Sequence, residues 1–275
     1  MAVRERWLDR IAQPQEAARI DWSNPLTDGL TACLHPPSGL LDAVTGESWT
    51  TWGTAPVVGA GEYGMCFDNT GAVGGLMLQS ARNAAVADQT HVLIFECTGV
   101  TGAYAGILSI ANAASGSNSL SFQRDGGNST WVTYPGPDTL AGSLGVTFGT
   151  LVLAIAGNIN GCALWVGGSQ VATNSTIPAS QSDSRIVLFG EQNASTSYAA
   201  QGRLYGYRGF TRRLSDDYLA EITRNPDAVF APERIWVPVS GGGGAAALSG
   251  DATGSASVAG ALTTQIPLAG AAVLS

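Results

Sequence analysis

At 275 residues, 45% of them hydrophobic, the chain can bury one large core and still carry arms. Only 12% of its residues are charged, about half the usual share of roughly 25%. The net charge is -8, every basic residue is an arginine, and none form a stripe that would hold a phosphate backbone, so direct nucleic-acid binding is excluded. No run approaches the ~18 apolar residues of a membrane span, so bilayer insertion is excluded too.

In chain order, residues 1–25 read as an N-terminal arm. Val3 to Ala12 has the spacing of a short amphipathic helix with Trp7, Leu8 and Ile11 on its apolar face, stopped near Pro14. The stretch to Trp22 lacks the apolar centre of a signal peptide. Synthesis in a reducing cytoplasm is therefore expected, with Cys33, Cys66, Cys97 and Cys162 free; their spacing suits neither zinc nor a redox pair.

Residues 26–240 read as the body. Strand candidates are Leu30–Leu34, Gly64–Asp68, Leu76–Gln79, His91–Cys97, Gly106–Ala111, Ser119–Arg124 and Thr130–Tyr134. Thr150–Ala156, Cys162–Val166, Gln170–Thr173, Arg185–Gly190 and Gly202–Phe210 continue the series. They are short, rich in Val, Leu, Ile and aromatics, and separated by Gly, Asn, Ser and Pro clusters. About a dozen such strands predict an all-β fold, an antiparallel two-sheet jelly-roll sandwich. One short helix is predicted near residues 215–224: Ser215 caps it, Asp216 and Asp217 meet the positive end of its dipole, Leu219 and Ile222 face inward, and Asn225-Pro226 ends it.

Residues 241–275 read as a Gly linker followed by an Ala/Gly/Ser-rich C-terminal arm. A segment so poor in bulky side chains cannot build its own core. It is either disordered or ordered by docking on a neighbour, with Leu262, Ile266 and Leu268 as its docking candidates beside Trp7, Leu8 and Ile11 of the first arm.

Chemistry-bearing motifs are sparse. A retaining glycanase needs two carboxylates about 5 Å apart, and Glu47, Glu62, Glu96 and Glu191 each stand alone in sequence. Glu96, inside an apolar strand, is the one candidate for a displaced pKa. His35 before Pro36-Pro37 and His91 at a strand start read as structural residues. No phosphate loop occurs. Loop calcium has candidates in Asp68-Asn69, Asp125 and Asp138, but no cluster of three acids, so no ligands, catalytic residues or cofactor are assigned. Trp49, Trp52, Trp131 and Tyr134 lie in or beside loops, where they pack into the core or contact a glycan or partner.

Several segments occur in an order that resembles laminin-G-like, concanavalin A-like jelly rolls over most of residues 26–240, in particular those of tailed-bacteriophage virion proteins. They are Asp21-Trp22-Ser23-Asn24-Pro25-Leu26, Gly64-Met65-Cys66-Phe67-Asp68, Leu164-Trp165-Val166-Gly167-Gly168, Arg212-Arg213-Leu214-Ser215, and Asn225-Pro226 with Phe230-Ala231-Pro232 and Trp236. The resemblance implies a non-enzymatic virion structural protein, a capsid decoration, head-associated or minor tail component, made in the bacterial host cytoplasm. Its partners would be major capsid or tail proteins and further copies of itself, a trimer being the guess from virion symmetry. The alternative is a module that attaches to host-surface glycans, and a glycan hydrolase comes third. Fold alone decides none of these.

Overall fold

The computed structural model describes residues 19–71, 73–78, 88–100, 104–112, 118–125, 131–134, 140–141, 150–158, 161–174, 184–190, 199–231, 235–237 and 246–248. The chain divides into two compact units, 1–231 and 232–275. In the second, the described residues form a small antiparallel hairpin of Ile235–Val237 with Ala246–Leu248. The docking candidates Trp7, Leu8, Ile11, Leu262, Ile266 and Leu268 lie outside the described residues, as does the predicted helix of the N-terminal arm.

The first unit is the sandwich that the strand pattern predicts. Its strands are β1 (Leu30–Leu34), β2 (Thr50–Gly53), β3 (Val57–Gly61), β4 (Gly64–Asp68) and β5 (Gly74–Leu78). Next come β6 (Gln89–Val100), β7 (Tyr104–Asn112), β8 (Asn118–Asp125), β9 (Trp131–Tyr134) and β10 (Leu140–Ala141). The last are β11 (Thr150–Asn158), β12 (Gly161–Val166), β13 (Ser169–Asn174), β14 (Ser184–Leu188) and β15 (Ala200–Phe210). One sheet runs β13-β12-β11-β6-β15-β4-β3 with β1 also paired to β15; the other runs β10-β9-β8-β7-β14-β5-β2. Every pairing between these strands is antiparallel.

Alternation places the core. Leu93, Phe95 and Cys97 of β6 point between the sheets with Leu108, Ile110, Phe122, Leu153, Leu188, Leu204 and Tyr207. Their neighbours Val92 and Ile94 point the other way, into a second cluster on the outer face of the first sheet. Burying one such side chain stabilises the fold by about 1.5–3 kcal/mol.

That outer cluster is roofed by α1 (Asp216–Arg224). Ser215 caps it by accepting from the Tyr218 amide at 3.4 Å, Asp216 and Asp217 occupy the first turn, and Leu219, Ile222 and Thr223 are its buried side. Thr223 fixes the helix to the β12–β13 turn, its Oγ1 accepting from the Gly168 amide at 2.8 Å. Asn225 ends the helix, as predicted.

The runs β2 and β3 lie among the described strands although neither is a strand candidate in the sequence. Thr50–Gly53 is short, and Val57–Gly61 has two valines followed by small residues. Their strand state comes from pairing with β5 and β4. All four cysteines are buried and none is in a disulfide. Burial pushes the Cys33 and Cys66 thiols up to about 11 and Cys162 up to about 12, so they behave as inert apolar groups.

Candidate functional site

The most chemically capable described surface lies at the Ala200 end of β15, on the outer face of the first sheet, beyond the roof of α1. Strand register builds it. Val57, Asp68, Arg203, Glu96 and Thr150 are successive cross-strand partners on β3, β4, β15, β6 and β11.

Arg203 is the hinge of this row. Its Nε donates to Asp68 Oδ2 at 2.9 Å and its Nη1 to Glu96 Oε2 at 3.1 Å. The Arg203, Asp68 and Glu96 side chains are 31%, 30% and 18% exposed, so the row is half-sunk yet open to a ligand. Arg203 Nη2 makes no hydrogen bond among the described residues. Burial alone would push the Asp68 carboxyl up, but hydrogen bonds from Thr70 and Arg203 together hold it below the ordinary carboxylate range.

An aromatic pair flanks the row. Tyr205 donates its hydroxyl to Glu96 Oε2 at 3.0 Å, and Tyr63 meets its ring edge-on at 5.5 Å. Burial raises the Tyr205 phenol, and the bond to Glu96 raises it further, so it stays a neutral donor. Gly61 makes room for this phenol: a Cβ there would stand 2.3 Å from the Tyr205 oxygen.

Alternation puts Arg203 and Tyr205, two residues apart, on one outward face. Leu204 pairs with Phe95 and Gly206 with Ile94, which leaves Tyr205 as the extra residue of a β-bulge. The bulge lets Leu204 and Tyr207, three residues apart, both reach the inter-sheet core.

Sequence reasoning found Glu96 and missed its company. Glu96 stands alone in sequence, but the fold corrects that isolation by bringing Asp68 to the same arginine. The two acids converge on one guanidinium. Position 203 carries the signal, a charge facing outward beside aromatics, but its partners lie 107 and 135 residues away.

The aromatic candidates divide. Trp49 is 1% exposed and donates its indole N–H to Asp42 at 3.3 Å; Trp52 is 8% exposed and packs with Val187 and Ala199. Both take the core alternative of the sequence reading, Trp49 within the inter-sheet cluster and Trp52 at the edge strand β2. Trp131 and Tyr134 have backbones on β9, in register with Arg124 and Ser121; their side chains lie outside the described set.

The two histidines are held inside the fold. His91 bonds Tyr207 Oη at 2.7 Å and Gln89 Oε1 at 2.8 Å, and burial drives its pKa down to about 3. His35 is buried with its ring 4.8 Å from Phe230. Among the described residues no three His, Cys, Asp or Glu side chains gather to hold a metal. Asp68 is engaged by Arg203, and Asn69 donates to Gly74 O at 2.7 Å. The Asp125 side chain and Asp138 lie outside the described set.

No protein-family model matches this chain, and no curated protein matches it. Solved structures do. A Trypanosoma rangeli sialidase in complex with 2,3-difluorosialic acid aligns over 83% of this chain with a TM-score of 0.58 and 14% identity. The chain spans 39% of that sialidase. Domain 4 of AbnA, an extracellular GH43 arabinanase from Geobacillus stearothermophilus, in complex with arabinotriose, aligns over 70% of this chain and 98% of its own length. Its TM-score is 0.55 and its identity 12%. Identities this low establish a shared β-sandwich fold.

Proposed function

We propose that this chain is a non-catalytic glycan-binding module whose contact surface is the Asp68–Arg203–Glu96 row with Tyr205 and Tyr63. The observation that carries the reading is the geometry of Arg203. Two carboxylates hold its guanidinium in place, so its free Nη2 edge is a fixed donor set between carboxylate acceptors. Alternating donors and acceptors, held before the ligand arrives, are what vicinal hydroxyls require, and pre-ordering lowers the entropic cost of binding. A sandwich fold shared with an arabinanase domain in complex with arabinotriose supports the reading.

The test is binding of the intact protein to an array of neutral and acidic glycans, repeated with Arg203→Ala. The expected loss for the variant is about tenfold or more, the scale of one well-placed charged contact. Undiminished binding by Arg203→Ala would remove the row from the reading. Polysaccharide cleavage by the wild type that disappears in Glu96→Gln would replace it with the hydrolase alternative.

A virion-borne role is the second reading, and one observation favours it. The Ala231 amide donates to Arg19 O at 2.8 Å and the Asp21 amide to Val229 O at 2.9 Å. The two ends of the described body, Arg19 and Ala231, are thus stitched together. The row stands toward the opposite end of β15, an arrangement that suits attachment at one end and display of a ligand site at the other.

A further inference from the structure

Trp22 is the outstanding exposed side chain of the described surface, an indole 61% open to solvent. Its backbone is held on both sides. The Asn24 amide donates to Asp21 O at 3.0 Å, and the Ser23 amide to Asp21 Oδ1 at 3.0 Å. Asn24 Oδ1 accepts from the Leu26 amide at 2.9 Å while its Nδ2 donates to Ala228 O at 2.7 Å. Thr27 Oγ1 closes the turn on Asn24 O at 2.7 Å. A heavily bonded turn thus holds out one large aromatic face.

Beside the indole lies an open cavity of about 300 Å³, lined by Trp22, Asn24, Thr27, Asp28 and Gly29. That is the lower end of the size range for small-ligand sites. Asp28 is 71% exposed and anchored through one oxygen to Arg212 Nη1, which leaves its other oxygen facing solvent-accessible space. Among the described residues, the other exposed large apolar ones, Leu41, Val57, Val58 and Val171, belong to other parts of the fold. A docking surface for a protein groups its apolar anchors into a patch. A single indole with a polar, acid-bearing rim instead matches one sugar ring, whose C–H face covers the aromatic plane while its hydroxyls bond the rim.

We infer that Trp22 and the Asp28–Arg212 pair form a second sugar contact, for one ring of an uncharged glycan. The inference rests on the glycan-binding reading but uses a separate place. Gly29 and Thr211 meet at the far end of β15, and the seven steps from Arg203 to Phe210 put roughly 23 Å between the two contacts. An unbranched oligosaccharide of a few rings would fill one contact, whereas a longer chain would reach both.

The full chain is titrated calorimetrically with arabinotriose, cellotriose and a longer arabinan, as wild type, Trp22→Ala, Trp22→Phe and Arg203→Ala. Trp22→Ala is expected to lower the trisaccharide stoichiometry from two sites to one and to weaken the longer arabinan about tenfold, with an unchanged melting temperature, and Trp22→Phe to weaken the arabinan only about threefold. Wild-type affinity in Trp22→Ala, with loss confined to Arg203→Ala, overturns the Trp22 contact and leaves the proposed function standing. Failure of the wild type to bind any of these glycans overturns both. A change of oligomeric state in Trp22→Ala, read by sedimentation, assigns the indole to contact between copies of the chain and also overturns the inference.

Discussion

Arg203 and Arg208 stand five residues apart on one strand, and both side chains lie on the outer face of the first sheet. Arg203 is partly open to solvent between two acids. Arg208 is fully buried, donates to Leu34 O and Tyr207 O at 2.9 Å, pairs with Asp227 at 3.2 Å and stacks 4.6 Å from the Phe230 ring centre. Simple alternation would send one of the two into the core, since five is odd; the bulge at Tyr205 restores the face. On the neighbouring strand β6, His91 bonds Tyr207 of β15 and is kept neutral by burial, with its pKa near 3. Its unfolded value is near 6.5, so the unfolded chain binds the extra proton as pH falls from about 6.5 toward 3. Stability is therefore expected to fall over that window, by at most about 1.4 kcal/mol per pH unit from this group. Urea midpoints measured at several pH values should show the slope, and His91→Gln should flatten it; an unchanged slope in the variant would assign the effect elsewhere.

At the scale of elements, the helix was legible and the strap that follows it was not. Ser215, Asp216, Asp217, Leu219, Ile222 and Asn225 act locally, within one turn of the positions they control, so capping and spacing in the sequence sufficed. The strap Asn225–Phe230 is held instead by Arg208, Asn24 and His35, which no local pattern connects to it. Removing the buried Arg208 should free this strap. Arg208→Ala is expected to cost about 3 kcal/mol or more, since it leaves two carbonyls and Asp227 without their cation. Ser215→Ala should cost only about 1 kcal/mol. Chemical denaturation of both variants checks the ranking, and equal costs would mean that the strap is held by its apolar contacts alone.

For the whole molecule, the hydrogen-bonded ends at Arg19 and Ala231 mark a closed unit. Residues 19–231 alone are expected to unfold in one cooperative transition at a midpoint close to that of the full chain. A broad or much lower transition, by circular dichroism, would show that the remaining residues complete the core. The sequence by itself determined the all-β class, the main strands, the helix at Asp216–Arg224 and its caps, and the low share of charge. Each of these follows from interactions between near neighbours or from composition. Only the tertiary structure decided the candidate surface. It buried Trp49 and Trp52, left Trp22 exposed, and gathered Asp68, Glu96 and Arg203 from three strands into one row. The physical reason is that side-chain facing in a strand inverts with every added residue. One bulge in β15 and the order of strands in the sheet therefore set which charges meet, and neither is written in any short stretch of residues.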